Sequence, residues 1–221
     1  MKSQVVERLK VHAGEKVPVF PLPNAILFPH VELPLYIFEP RYQQMLEDCM
    51  KGNSLMAISL LKKGWEAYQE PFPAYDVVGV GYVKLSIQNT EGNSNIILKG
   101  ITRAKISEYL QWEPYPIAKV NPIEETSAES KEIVTKTKKL LKLFIEKVLR
   151  TKKGHEDELR TLEKMTDSEE LSSIVAHTSN IDFHAKQEIL ETFDLGKKLD
   201  RLTEILESEL REIYLRKKSS S

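Results

Sequence analysis

The sequence predicts an α+β protein: a small, partly open β-barrel carrying one helix, followed by an antiparallel helical bundle. Three observations carry this. All eleven prolines, seven of the nine glycines and thirteen of the seventeen aromatic residues fall at or before Pro122. Between Tyr82 and Ile106 the apolar residues alternate with polar ones, the period of a half-buried strand. Beyond residue 128 the apolar residues recur instead at helical spacing. The composition shift places a boundary near Asn121–Ala128, giving a β unit over 1–124 and a helical unit over 125–221.

The first unit is organised around Val17–Tyr42, which holds six of the prolines and a single Lys or Arg, Arg41. Interior prolines remove backbone donors and clash with the preceding turn, so this run is not one helix. It reads as short extended pieces, Val17–Phe20, Ala25–Phe28 and Val31–Ile37, since the residue before each proline is pushed towards β geometry. Pro40 suits the first position of a helix. Tyr42, Met45, Leu46 and Cys49 then follow at helical spacing.

Further strands are expected at Ser54–Leu61, which reads as a buried strand, at Tyr82–Ile87 and at Ile96–Lys99. Two more are expected at Thr102–Ile106 and Pro116–Val120. In Tyr82–Ile87, Val83, Leu85 and Ile87 form the face that turns inward. Asn89–Asn95 is a turn, and Lys62–Ala74 is a loop. Periodicity by itself admits a sandwich as well as a barrel.

In the second unit, Ile133, Thr137, Leu140, Leu141, Phe144, Val148 and Leu149 trace one face of a helix from about 128 to 152, which Gly154 stops. A short helix follows, with Leu159, Leu162 and Met165 facing in. Asp167 with Glu170 forms a capping box for a helix through Thr178. Asp182 caps the next helix and Asp194 the last, in which Leu195, Leu199, Leu202, Leu206, Leu210 and Ile213 share a face. Short links between amphipathic helices predict antiparallel neighbours. Ser219–Ser221 reads as a short disordered end.

Charge excludes several classes. The formal net charge is -1, and Ser127–Lys218 carries 19 basic and 19 acidic residues. Nothing drives the chain towards nucleic acid or an anionic membrane. No run approaches the ~20 apolar residues of a membrane span, and the first eleven residues lack a signal-like apolar core. One cysteine, Cys49, excludes a disulfide framework and fits a reducing, cytoplasmic compartment, where it reads as a buried structural thiol.

The residues around Val17–Tyr42 also resemble a known family. Pro21-Leu22, Leu27-Phe28-Pro29-His30, Leu33-Pro34-Leu35 and Phe38-Glu39-Pro40-Arg41-Tyr42 are similar to the opening of the N-terminal domain of Lon proteases. Val78–Ile87, Leu98–Ile106 and the helical tail Ile174–Leu210 are similar to later parts of that domain, in the same order. The resemblance implies a PUA-like barrel and a substrate-binding domain. It also implies two kinds of partner: unfolded or apolar polypeptide segments, and a separate ATPase or protease.

The chain carries no G-x-x-x-x-G-K-[ST] phosphate loop, since no two glycines have that spacing. Nor does any serine sit in a recognisable Ser-Lys peptidase motif. By subtraction it reads as a stand-alone, non-catalytic relative of the substrate-binding domain, with no cofactor. His184 and Glu188, at i and i+4, are too few for a metal site. His12, His30, His155 and His177 read as surface, turn or capping residues; Glu39 reads as stabilising the amino end of its helix and Arg41 as bracing the barrel, with a Glu39–Arg41 pair or a ligand contact as the alternative. Arg103 reads either as an anion ligand or as a strand charge held in water. The candidate peptide-binding residues are Leu33 and Tyr36 on the second strand, with Trp65, Tyr68, Phe72 and Tyr75 in the proline-rich loop, because exposed aromatics on loops make anchors. The leading expectation is therefore a protein-interaction module. The alternative is an RNA-binding PUA-like protein, disfavoured by the balanced charge and the lack of a basic, aromatic-interleaved stripe.

Overall fold

The computed structural model describes residues 10–68, 71–124, 130–151, 160 and 162–219 of the chain. The expected helix stop at Gly154, the inward Leu159, His155 and residues 125–128 of the expected boundary segment lie outside the described residues. So do the first nine residues and the last two. The chain divides into two compact units: one spans residues up to Glu124 together with Phe183–Glu191, the other spans Glu125–Asp182 and Thr192–Ser221.

Six strands build the first unit: β1 (Glu15–Leu22), β2 (Glu32–Ile37), β3 (Leu55–Leu60), β4 (Val77–Gln88), β5 (Ser94–Gln111) and β6 (Ile117–Pro122). Helix α1 (Pro40–Lys51) sits between β2 and β3, with Pro40 in its first turn. β1 pairs with β3 in parallel, and every other pairing is antiparallel. The order β2-β5-β4-β3-β1-β6 is joined by an extra β5–β6 pairing, so β1, β3, β4, β5 and β6 form a ring and β2 lies outside it. The long β5 makes this possible. Ser94–Lys99 pairs with β2, and Ala104–Gln111 pairs with β6. The two strands expected at Ile96–Lys99 and Thr102–Ile106 are thus one strand.

Alternation along the strands separates two apolar layers. Val17, Val19, Leu55, Ala57, Val78, Val80, Ala104, Ile106, Ala118 and Val120 pack together inside the ring. Phe20, Met56, Ile58, Ile96 and Leu98 point the other way and pack under Tyr42, Met45, Leu46 and Cys49 of α1. β3 is buried on both faces, which its near-continuous apolar sequence allows, and its one polar side chain, Ser59, donates to the Tyr75 carbonyl at 2.7 Å. The Cys49 thiol donates to the Leu55 carbonyl oxygen at 3.1 Å, and burial pushes its pKa up to about 12. Thiol reagents attack the thiolate, so Cys49 is expected to stay unlabelled at pH 8 in the folded protein and to react at once in denaturant. Mass spectrometry of alkylated protein checks this. Rapid labelling under native conditions would contradict it.

The segment Ala25–Phe28 is no strand. It crosses tightly over β4 and β5, and glycines make room for it. A Cβ at Gly79 would stand 1.8 Å from the Leu27 carbonyl oxygen, and one at Gly100 would stand 2.0 Å from that of Phe28. Next to this crossing His30 adopts a left-handed φ of 62°. Its amide donates to the Gly100 carbonyl at 3.0 Å, and its own carbonyl accepts from Lys99 Nζ at 2.6 Å.

The second unit holds α2 (Lys131–Thr151), α3 (Ser168–Thr178) and α5 (Leu195–Ser219). Asp167 accepts from the amides of Glu169 and Glu170 at the start of α3. Asp194 accepts from the Lys197 amide at the start of α5. Ser219 is the last residue of α5 rather than part of a loose end. The expectation of antiparallel neighbours does not hold for these three. Lys136 bonds Asp200, Lys139 bonds Glu207 and Lys147 bonds Glu209, so α2 and α5 run in the same direction. Thr137 bonds Ser168 and Lys147 bonds the Thr178 carbonyl, so α3 runs with them. The reason lies in the connections: a 16-residue segment separates α2 from α3, and a further helix, α4 (Phe183–Glu191), lies between α3 and α5.

Lys147 and Glu209 meet at 2.6 Å with side chains only 13% exposed, and Glu209 also accepts from the Asn180 amide. Lys147→Met leaves that carboxylate largely buried without its cation and is expected to cost about 2 kcal/mol. The double variant Lys147→Met/Glu209→Leu should recover part of the loss. Urea unfolding of the four proteins measures the coupling. Strictly additive losses would show that the pair contributes nothing beyond its two side chains.

Candidate functional site

Two surfaces of the first unit gather exposed apolar residues. The first is the outer face of the part of the sheet made by β2, the start of β5 and the end of β4. Register sets two rows across it: Pro34–Ile97–Leu85 and Tyr36–Asn95–Ile87. Tyr36 is 49% exposed, Phe38 59%, Leu85 45% and Ile87 57%, and the Tyr36 and Phe38 rings stack at 6.0 Å. Leu85 and Ile87 are expected from sequence to face inward. A register shift between Val83 and Leu85 overrides that alternation, so Val83 is buried while Leu85 and Ile87 are open. At one end of the face Lys84 donates to Glu32 at 2.6 Å. That bond is the main reason the Glu32 carboxyl is held below its usual pKa, with the charges of Lys84 and Lys99 adding to it.

The second surface is a cleft with a volume of about 90 Å³. Tyr42 and Arg41 of α1, Pro71 and Phe72 of the loop, and Tyr109, Trp112 and Glu113 at the end of β5 line it. Tyr109 and Trp112 stack at 4.0 Å with their planes 22° apart. Arg41 lies 4.7 Å above the Tyr42 ring and bonds Glu39 at 3.2 Å, so the pairing that the sequence ranked second does form, and the Glu39 side chain makes no cap bond to the helix. Burial raises the Tyr109 phenol to about 12, and the charge of Asp76 adds to the effect.

The six candidate peptide-binding residues do not converge. Leu33 turns inward and packs against the core under α1, whereas Tyr36 lies on the outer face. Phe72 enters the cleft wall, and Trp65 meets it edge-on at 5.0 Å. Tyr68 is exposed at the loop surface. Tyr75 turns to α4, with its hydroxyl 3.4 Å from His184 Nδ1. Phe38, Ile97, Tyr109 and Trp112 are not among the candidates. Their only sequence signal is aromatic or β-branched residues at strand ends beside turns.

Arg103 corrects the reading of a strand charge held in water. It is 1% exposed and donates from Nη1 to the Leu190 carbonyl at 2.8 Å. Gln187 donates to the Val77 carbonyl, also at 2.8 Å. Helix α4 is therefore fastened to the barrel, although the sequence groups it with the helical unit. Its fastening groups are buried and leave no open site around Arg103. Among the described residues no group of three or more His, Cys, Asp or Glu is placed to hold a metal ion, and no helix is long and apolar enough to cross a membrane.

A ring of five strands with an appended edge strand and an underlying helix defines an α+β domain. The sequence matches the family model of the ATP-dependent protease La (LON) substrate-binding domain over residues 16–208, and the chain belongs to that family. It is 29% identical over 198 residues to a Lon protease of Dictyoglomus thermophilum, covering 89% of this chain and 25% of that protein. It is 28% identical over 211 residues to a Lon protease of Desulfosudis oleivorans, covering 94% of this chain and 26% of that protein. The chain thus spans about a quarter of the length of these curated relatives. In fold it is similar to the N-terminal domain of a Mycobacterium avium complex Lon protease. The TM-score is 0.72 at 17% identity, covering 87% of this chain and 98% of that one. A Lon N-terminal domain protein from Xanthomonas campestris superposes with a TM-score of 0.63 at 18% identity, covering 85% and 96%.

Proposed function

We propose that this chain is a non-catalytic recognition module for extended, apolar polypeptide, and that the outer face carrying Tyr36, Leu85, Ile87 and Ile97 is its docking surface. The supporting observation is the open face on which Ile97 and Leu85 pair beside Pro34 while Tyr36 and Ile87 flank them. An extended segment suits this surface better than a folded partner. β2 ends the strand order and pairs with β5 alone, so an incoming strand finds backbone groups along one edge and apolar side chains beside it. The family supports the same reading, and a separate ATPase or protease is the partner that would act on the captured segment.

Burial of apolar surface scales with area and not with ions, whereas phosphate recognition releases counterions and weakens steeply with salt. The test is titration of the pure protein with a reduced, alkylated model polypeptide and with single- and double-stranded RNA, at low and high salt. Binding to the polypeptide is expected, largely insensitive to salt. Tyr36→Ser/Ile87→Ser should weaken it by roughly tenfold or more, the equivalent of two exposed side chains losing ~1 kcal/mol of burial each. RNA binding that collapses with salt, beside no polypeptide binding, would put the RNA-binding alternative first.

A further inference from the structure

We propose that the cleft between α1, the loop at Pro71–Phe72 and the end of β5 is a receptor for one basic side chain, lysine or arginine, carried on an extended polypeptide. This rests on the polypeptide-binding reading above but names a second subsite and its chemistry.

The cleft is small, about 90 Å³, the scale of one side chain rather than a run of residues. Its walls are of two kinds. Pro21 and Pro71 supply apolar surface, which suits the methylene stem of a long basic side chain. Phe72, Tyr109 and Trp112 supply aromatic surface, whose faces attract cations, indole most strongly. Trp112 stays 43% exposed even though its ring stacks on Tyr109, so the indole is held in place and still open.

Charge selects the occupant. Glu113 lines the cleft, and Asp76 acts on the Tyr109 phenol. The cation already present, Arg41, lies on the Tyr42 ring and is answered by Glu39 at 3.2 Å. Arg41 and Glu39 balance one another, so the charge that the lining adds is the carboxylate of Glu113. An anionic side chain would meet that charge unfavourably, and a purely aliphatic one would gain nothing from it. The outer face has no such arrangement: its acid, Glu32, is taken up by Lys84 and Lys99.

The probes are four N-acetylated, C-amidated peptides of one apolar sequence that differ only at a central lysine, arginine, norleucine or glutamate. Binding is followed by NMR through the indole N–H signals of Trp65 and Trp112, the two tryptophans of the chain, with Trp112→Leu assigning them. The lysine and arginine peptides are expected to bind about tenfold more tightly than the norleucine peptide and to move the Trp112 signal. That margin should shrink with added salt and in Glu113→Gln. Glu113 is exposed, so its loss should leave the fold intact, which the unchanged remainder of the spectrum verifies. Equal or tighter binding of the norleucine peptide, or a Trp112 signal that stays still while the basic peptides bind, would overturn the subsite. Tyr36→Ser/Ile87→Ser separates the two readings. If that variant abolishes binding of all four peptides while Glu113→Gln changes nothing, the outer face stands and the cleft subsite falls. If it leaves the lysine preference intact, the cleft stands by itself.

Discussion

Arg103→Ala is expected to release α4 from the barrel and to destabilise the first unit by roughly 3 kcal/mol, combining the cost of a vacated buried volume with that of a buried carbonyl left without its donor. The guanidinium is 1% exposed and holds the Leu190 carbonyl at 2.8 Å. Position adds to the bond, because cations are favoured at the carbonyl end of a helix. Amide hydrogen exchange should show residues 183–191 losing protection before the strands do. Arg103→Lys tests the geometry: a point charge on a shorter reach should restore only part of the stability. If α4 stays protected in Arg103→Ala, then Gln187 and the apolar contacts of Ile189 and Leu190 hold the helix without it.

Gly79→Ala is expected to be more damaging still, in the rare class above about 4 kcal/mol for a single methyl group. The added Cβ would stand 1.8 Å from the Leu27 carbonyl oxygen and 2.8 Å from the Leu27 Cβ. Neither is the free end of a flexible side chain. The crossing segment would have to lift off β4, and with it Leu27, which is fully buried under α1. Gly14→Ala is the control. Its φ is 77° and no atom lies within 4 Å of the added Cβ, so it should cost only about 1 kcal/mol of left-handed backbone strain. Thermal unfolding of the two variants decides. Equal losses would show that the crossing is as adaptable as an open turn.

These two residues also mark the limit of what could be read without coordinates. The Val-Gly-Val-Gly run of β4 is recognisable as a strand with unusual glycines, but not as the floor under a segment fifty residues earlier in the chain. Arg103 alternates with apolar neighbours as a solvated strand charge would. Only the docking of a helix eighty residues later buries it. The outer face was half visible: Tyr36 was a candidate from its place on the second strand, whereas Leu85 and Ile87 fall on the wrong side until the register shift after Val83 is known. Tyr109 and Trp112 lay in the sequence as ordinary aromatics. Their stacking, and their meeting with Phe72, depend on the chain folding the end of β5 against the loop.

Sequence by itself determined the features that local chemistry dictates. Proline and glycine punctuation placed the β unit and the start of α1. Apolar periodicity placed the helices, and Asp167 and Asp194 placed two of their beginnings. The linear order of these motifs also indicated the family. Tertiary structure alone decided the rest: closure of the ring through two partners of β5, assignment of α4 to the barrel, the shared direction of α2, α3 and α5, and the walls of the cleft. Each of these is a contact between residues far apart in the chain. Its energy comes from burial and hydrogen bonds that exist only once both sides are in place, so no local pattern records it.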